Sequence, residues 1–287
     1  MTPAENAQLA LLLEVAGTPK PGNVDRRRDL DDLRFEHFLA GAVGSGEGLR
    51  MAADGVSVGA AFERAVEGMS QQEGGNTQFG CLLLLVPLVK AAAESDGDLT
   101  PDESDEGLTP DAVTRVVEST TVADAADFYR SFEHVDVAVG EPPTDASELD
   151  VRRGADAIPA LESRELTLYD VMELSADRDG NAREWTSGFG RTFAAADAIC
   201  DDDGPVPDRA ARAFLDLLAE EPDTLVATQH GDEVAAAVSE WADDARGDEA
   251  AAERLAEALV AEGVNPGTTA DITAAALFVA LERGLRV

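Results

Sequence analysis

Three stretches of this sequence carry residue types suited to binding phosphate groups. They are residues 18–32, 74–77 and 265–271. Each places glycine beside Asn, Thr or Lys at a point where a helix is expected to begin. Free N–H groups and the helix dipole at such an N-terminus favour anions. One such stretch would be ordinary helix capping, whereas three together indicate a site for a phosphorylated ligand.

The first stretch holds Lys20, one of two lysines in the chain, between Pro19 and Pro21. The prolines fix two backbone angles, and Gly22 permits a turn that other residues resist. We expect a stiff loop that aims one cation at the ligand, the alternative being a connector with a solvated lysine. The residues predicted to bind phosphate or nucleotide are Lys20, Gly22, Asn76, Thr77, Asn265 and Thr268.

Carboxylates form a second pattern. Asp29, Asp32 and Glu36 have helical spacing, and a helix that begins near Asp29 or Leu30 would present them on one face. Oxygen ligands of this kind suit Mg²⁺, which binds one or two carboxylates plus substrate phosphates. The alternative is a solvated helix, and Thr268 with Asp271 also fits a capping box. The predicted metal ligands are Asp32, Glu36 and Asp271, with Asp25 or Asp31 as general base or as support to the metal ligands.

Other common catalytic patterns are absent from the sequence. The three histidines, His37, His134 and His230, lack the spacing of a histidine-ligated zinc site. No Walker A, Gly-x-Ser-x-Gly or Gly-x-Gly-x-x-Gly arrangement occurs. The sequence therefore argues against a P-loop NTPase, a serine hydrolase and a Rossmann dehydrogenase.

The elements that must position these residues are predicted to be helices. Apolar residues recur with helical period along most of the chain, and no stretch alternates convincingly with period two. We expect an all-α fold of about ten helices in a single domain over residues 1–287. The acidic segment 94–107 is expected to be a solvent-exposed excursion, and residues 135–159 to be irregular and to wrap the surface or cover a site.

Charge bounds the partners and the environment. The formal net charge is −36, with acid spread along the chain and lysine largely replaced by arginine. Such a surface repels nucleic acid and anionic membranes, and its self-repulsion is screened in concentrated salt. The longest apolar run, residues 81–89, is shorter than the ~20 residues that a membrane span needs. We expect a cytoplasmic protein adapted to high salt, with the oligomeric state left open.

The three stretches also resemble the signatures of a known family. Pro19-Lys20-Pro21-Gly22-Asn23-Val24-Asp25-Arg26 after Glu14-Val15, Gly75-Asn76-Thr77-x-x-Gly80, and Asn265-Pro266-Gly267-Thr268-Thr269-Ala270-Asp271 resemble motifs of the triphosphoribosyl-dephospho-CoA synthases, in the family's order. One departure follows the central motif, where typical members carry His-Lys and this chain has Gln78-Phe79.

The resemblance implies an all-helical transferase. Members of this family use ATP and 3′-dephospho-CoA, release adenine and join a triphosphoribosyl group to the acceptor ribose. From the carboxylates we expect Mg²⁺ as cofactor, and from the resemblance we expect ATP as substrate. Two alternatives remain open at this point: a nucleotide or N-glycoside hydrolase, with water as acceptor, and a nucleotide-binding protein without catalytic activity.

Overall fold

The described part of the chain is built from helices and contains no strand. The computed structural model describes residues 1–98, 107–140, 142 and 144–287. The α-helices are α1 (Pro3–Ala16), α2 (Phe35–Gly44), α3 (Gly46–Ala53), α4 (Val58–Met69), α5 (Phe79–Asp98), α6 (Pro110–Glu118), α7 (Val122–Ser131), α8 (Ile158–Arg164), α9 (Leu168–Ser175), α10 (Gly180–Thr186), α11 (Gly190–Asp201), α12 (Val206–Glu220), α13 (Thr224–His230), α14 (Asp232–Ala245), α15 (Glu249–Glu262) and α16 (Gly267–Glu282). Two 3₁₀ segments, Thr144–Leu149 and Val151–Ala157, lie between α7 and α8.

The all-α prediction is confirmed, whereas the expected number of about ten helices is too low. Positive φ angles divide the helical chain into more segments than the apolar periodicity indicates. Gly231, with a φ of 89°, separates α13 from α14. Phe189, with a φ of 58°, separates α10 from α11. Positive φ angles stop a right-handed helix, and apolar periodicity does not report them.

The predicted helix from Asp29 is wrong. Residues 29–34 are not helical, and α2 begins at Phe35. Asp29 instead accepts a hydrogen bond from the backbone N–H of Phe35, at 2.8 Å. It thereby satisfies one of the N–H groups that the start of a helix leaves without an intrahelical partner.

Helix α16 lies at the centre of the fold and packs against α1, α5, α11 and α12. From Thr268 to Leu281 every residue except Asp271 is buried. Helix α5 is equally apolar between Cys81 and Val89. A helix that is apolar on all sides must be covered on all sides, so α5 and α16 form the frame around which the others pack.

Buried apolar side chains form two clusters, a large one around α5 and α16 and a smaller one among α12 to α15. The single domain over residues 1–287 stays a prediction. The predicted acidic excursion 94–107 begins within α5, which continues to Asp98, and residues 99–106 lie outside the described residues. No helix in the described ranges is both long and apolar enough to cross a membrane.

Candidate active site

One cavity of about 470 Å³ brings the three stretches together. Asn23 from the first stretch, Asn76 and Thr77 from the second, and Asn265 and Thr268 from the third all line it. The amide of Asn23 donates to the carbonyl of Pro266 at 3.2 Å, which ties the first stretch to the third across most of the sequence. The cavity lies where the first turns of α5, α10, α13 and α16 meet.

Asp25 organises the first stretch from within and does not line the cavity. Its carboxylate is fully buried. It accepts hydrogen bonds from the hydroxyl of Thr18 at 2.9 Å, the guanidinium of Arg28 at 2.8 Å and the backbone N–H of Arg27 at 2.7 Å. Because these donors surround it, Asp25 holds the loop in shape and is not placed to act as a general base. Gly22, with a φ of 73°, lies against the carbonyl of Val264 and leaves no room for a side chain.

Lys20 lies behind the cavity wall. It is 1 % exposed and forms a buried ion pair with Glu14 of α1, and Glu14 is the member of the pair that lines the cavity. Burial raises the pKa of Glu14, and the ammonium of Lys20 opposes that shift. The structure therefore does not place Lys20 in direct contact with a ligand in the cavity. The positive charge of Lys20 acts on the cavity through its ion pair with Glu14.

The second stretch opens α5. The side chain of Asn76 accepts a hydrogen bond from the N–H of Phe79 at 3.1 Å, so it caps the helix. The buried hydroxyl oxygen of Thr77 has no partner among the described residues. Gly80, one turn on, allows α5 to approach α16, because a Cβ there would lie 1.9 Å from Asp271 Oδ2.

The third stretch opens α16 without the capping box that the sequence allowed. Pro266 stands at the N-cap, with no side-chain cap. The hydroxyl of Thr268 pairs with that of Thr224 at 3.0 Å. Asp223 accepts from both the N–H and the hydroxyl of Thr269, at 2.7 Å each. Asp223 already occupies one of the free N–H groups at the start of α16. Fewer N–H groups are therefore left to bind an anion than the sequence indicates.

Asp271 is the carboxylate that α16 brings to the cavity. Its Oδ1 accepts a hydrogen bond from the thiol of Cys81 at 3.1 Å, and its Oδ2 accepts from the amide of Asn181 at 2.8 Å. Burial raises its pKa to about 7, which these hydrogen bonds partly oppose. The thiol of Cys81 is also buried, and burial raises its pKa well above the ordinary value of a thiol. Near neutral pH Asp271 can therefore both accept and release a proton.

The other predicted acids lie elsewhere. Asp31, Asp32 and Glu36 are exposed, and none of them lines the cavity. Glu36 forms an ion pair with Arg34 at 2.7 Å. Asp32, Glu36 and Asp271 therefore do not meet as a ligand set, because the expected helix from Asp29 does not form. Among the described residues no group of three or more His, Cys, Asp or Glu side chains is arranged to hold a metal ion.

Several residues in the site carry no role in the sequence analysis. Glu14 appears there only within a family signature. Cys81 and Asn181 carry no motif, and they are found only when α5 and α10 meet Asp271. Asp179, by contrast, is predicted together with Glu184 as a further acid from the helix start at residues 179–185. It lines the cavity and caps α10, accepting from the N–H of Ala182 at 2.8 Å. Helix-start chemistry around residue 180 is the one signal that points to this group.

The comparisons with known proteins come to the same family. The model of the CitG family, described as ATP:dephospho-CoA triphosphoribosyl transferase, matches residues 1–286. A crystal structure from Archaeoglobus fulgidus, of a candidate triphosphoribosyl-dephospho-CoA synthase, superposes with a TM-score of 0.69 at 27 % identity. That match covers 88 % of this chain and 100 % of the other. No curated protein matches the chain.

The family model spans nearly the whole sequence, including all three stretches that line the cavity. The solved neighbour shares the helical fold over its full length. This chain therefore belongs to the ATP:dephospho-CoA triphosphoribosyl transferase family and is a transferase of that type.

Proposed function

We propose that this protein transfers the triphosphoribosyl group of ATP to a ribose hydroxyl of 3′-dephospho-CoA. The bond between the anomeric carbon of ATP and adenine breaks, a bond from that carbon to the acceptor oxygen forms, and the hydroxyl proton leaves with adenine. The observation that carries the proposal is the single cavity shared by the three motif stretches. In sequence these stretches lie far apart, and the fold brings residues of all three to one cavity.

We assign the proton transfer of this reaction to Asp271. Breaking the N-glycosidic bond develops positive charge at the anomeric carbon, while the attacking hydroxyl must lose its proton. A carboxylate with a pKa of about 7 is matched to proton transfer near neutral pH. Asn181 and Cys81 each occupy one side of this carboxylate and fix its direction. We therefore give Asp271 the role of general base, and its predicted role as a metal ligand remains an alternative that the same variants test.

The negative charge of the cavity lining indicates that cations must accompany ATP. Among the described lining residues five side chains are carboxylates and one, Arg178, is a guanidinium. The five carboxylates are Glu14, Asp136, Asp150, Asp179 and Asp271. A triphosphate would meet repulsion here unless cations accompany it. We propose that Mg²⁺ enters as part of the MgATP substrate, where it would neutralise the triphosphate.

The lining offers oxygen atoms that fit such an ion. The buried side-chain oxygens of Asn181 and Asn265 have no hydrogen-bond partner in the described part of the chain. Both are hard donors of the kind that Mg²⁺ accepts beside phosphate oxygens. With Asp179, they are the side chains that we propose to hold the ion. An ion bound there would supply these buried oxygens with a partner, and leaving such oxygens unpaired is costly.

High salt is the proposed working condition. With 58 acidic and 22 basic residues, the surface repels itself at low ionic strength. At molar salt the screening length shrinks to about 3 Å and this repulsion is largely removed. We infer that the protein is adapted to a concentrated salt solution, so its activity is best assayed there.

The experiment is a product analysis in molar KCl with MgATP and dephospho-CoA. The proposal predicts adenine release that requires dephospho-CoA, with a product whose mass equals the two substrates minus adenine. Adenine with free ribose triphosphate, independent of the acceptor, would show hydrolysis and contradict transfer. A thermal shift with MgATP but no adenine would identify a silent nucleotide-binding protein and would also contradict it.

A further inference from the structure

The cavity has two ends of different chemistry. The polar end is lined by Glu14, Asn23, Asn76, Asn181, Thr268 and Asp271. The other end, which we call the apolar chamber, is lined by Leu83, Phe128, Phe132, Leu149, Val171 and Met172. The polar end offers partners for phosphates and ribose, and the apolar chamber offers contacts for an uncharged part of a substrate.

Aromatic packing gives the apolar chamber a firm wall. The ring of Phe132 lies 4.9 Å from that of Phe79 and 5.3 Å from that of Phe128, centroid to centroid, with steep angles between the planes. Edge-to-face contacts of this kind are favourable. Phe79 and Phe128 are buried, whereas Phe132 is half-buried, and all three line the cavity. The wall is preformed and uncharged.

One side of the cavity is an extended strap, residues 135–140. Val135, Val137 and Val139 are less exposed than Asp136, Ala138 and Gly140, and this alternation is the period of an extended chain. Residues 136–140 all line the cavity. Within the described ranges no hydrogen bond joins the main chain of 136–140 to another main-chain group. The strap therefore presents a row of open peptide groups, as an edge strand does.

An extended ligand with its own amides would fit such a strap. Main-chain hydrogen bonds to an added extended segment are a common mode of recognition. The acceptor of this family contains such a segment, since dephospho-CoA is an adenosine diphosphate joined to a pantetheine arm. That arm is a flexible chain with two amides, a dimethyl-substituted carbon and a terminal thiol.

Resting on the proposed transferase function, we propose that the pantetheine arm of dephospho-CoA lies along residues 136–140 and ends in the apolar chamber. Its two amides pair with peptide groups of the strap, and its thiol end contacts Phe132. Adenine is the weaker occupant of the apolar chamber, because its ring nitrogens and amino group need polar partners that the aromatic wall does not supply. The acceptor nucleotide and the triphosphate share the polar end.

The first test is Phe132→Leu with Phe62→Leu as its matched control. Phe62 belongs to the same aromatic cluster, 5.1 Å from Phe79 and 5.7 Å from Phe128, but it does not line the cavity. We expect Phe132→Leu to raise the KM for dephospho-CoA on the order of tenfold, with the KM for ATP unchanged. Phe62→Leu should lower the melting temperature and leave both KM values alone. A raised KM for ATP in Phe132→Leu, or equal acceptor effects in both variants, would overturn the proposal.

The second test removes N–H groups from the strap. Neighbouring residues of an extended segment direct their N–H groups to opposite sides. Only one of the variants Val137→Pro and Ala138→Pro should therefore remove an N–H that faces the arm. That variant should raise the acceptor KM about fivefold, as expected for the loss of one hydrogen bond, and the other should not. Val137→Thr and Ala138→Ser keep the N–H, so at the position where proline raises the acceptor KM the hydroxyl variant should raise it less. If neither proline variant changes the acceptor KM, the strap does not bind the arm.

A fragment separates this inference from the proposed function. 4′-Phosphopantetheine is the arm without the nucleoside, and it should inhibit competitively against dephospho-CoA but not against ATP. Phe132→Leu should weaken this inhibition by the same factor as it raises the acceptor KM. Wild-type enzyme that turns over dephospho-CoA without competition from the fragment would sink the inference alone. No turnover with dephospho-CoA at all would remove the proposed function as well.

Discussion

Two groups of carboxylates show what spacing in the sequence does and does not determine. Asp29, Asp32 and Glu36 have helical spacing, yet they lie in and after an irregular loop, and Asp32 and Glu36 are exposed. Glu14 and Asp271 are 257 positions apart, and α1 and α16 bring both to one cavity. In an acid-rich chain, closeness in sequence says little. Burial beside few, defined partners is what gives a carboxylate a chemical role.

The pKa shifts of Asp271, Glu14 and Glu36 show this difference between buried and exposed carboxylates. Burial raises the pKa of Asp271 to about 7, and burial also raises that of Glu14. Glu36 is exposed, and hydrogen bonds from its own backbone and from Arg34 lower its pKa instead. Glu36 is therefore an ordinary ionised surface group, whereas Asp271 can exchange a proton near neutral pH.

The largest expected effect comes from Asp271→Asn. Removing the general base should lower kcat by about 10² to 10⁴. Stability should change in the opposite direction. The folded pKa of about 7 exceeds the ordinary value of 3.8, so the folded protein binds the proton more tightly and stability is lost as pH rises between these values. At pH 8 the variant should gain up to about 4 kcal/mol.

An assay of adenine release tests the predicted loss of kcat, and denaturant unfolding at pH 8 tests the predicted gain in stability. Full activity in Asp271→Asn would contradict its role in the reaction. Partial recovery by excess Mg²⁺ would assign Asp271 to the metal and not to proton transfer. A stability equal to that of wild type at pH 8 would show that the cost of burying this carboxylate is small.

Lys20→Met should have the largest effect on stability. Its side chain and that of Glu14 are 1 % and 3 % exposed, so the variant leaves a buried charge without its partner. Such losses cost about 3–5 kcal/mol. The chain supplies its own control in Lys90→Met, since Lys90 bonds the carbonyls of Gly55 and Val56 near the surface. There a loss of about 1 kcal/mol is expected, and equal losses in urea unfolding would contradict the account.

Gly80→Ala should damage the site more than the fold. The added Cβ would lie 1.9 Å from Asp271 Oδ2 and 2.6 Å from Asn181 Nδ2, so the carboxylate must move. A displacement of about 1 Å can cost on the order of 10²-fold in rate. Gly190→Ala is the matched helical control, because no atom of the described residues lies within 4 Å of a Cβ placed there. Comparable kcat values for the two variants would show that the position of Asp271 is not critical.

The smallest effect is expected from Asp32→Asn with Glu36→Gln. Both side chains are exposed and neither lines the cavity. Kinetics of adenine release should match wild type for both substrates, and the apparent affinity for Mg²⁺ should not change. A marked rise in the Mg²⁺ requirement would instead restore these acids as metal ligands and would break the contrast between the two groups.

The sequence predicted the helical class and the meeting of three distant stretches, because glycine and amide residues at helix starts carry a local signal. It did not predict the partners of Asp271. Cys81 lies in an apolar run that resembles plain core, and its contact with α16 depends on the space left by Gly80. The buried pairing of Lys20 with Glu14 was also missed, because periodicity shows that a helix has a buried face and not which charge lies there.

The most direct test of the central claim is the pH dependence of kcat/KM for acceptor-dependent adenine release, measured in molar salt for wild type and Asp271→Asn. If Asp271 accepts the hydroxyl proton, the wild-type value should fall about tenfold per pH unit below a pH near 7. The variant should then show a low rate without that limb. An acid limb that survives unchanged in Asp271→Asn would contradict the account, because the titrating group would lie elsewhere.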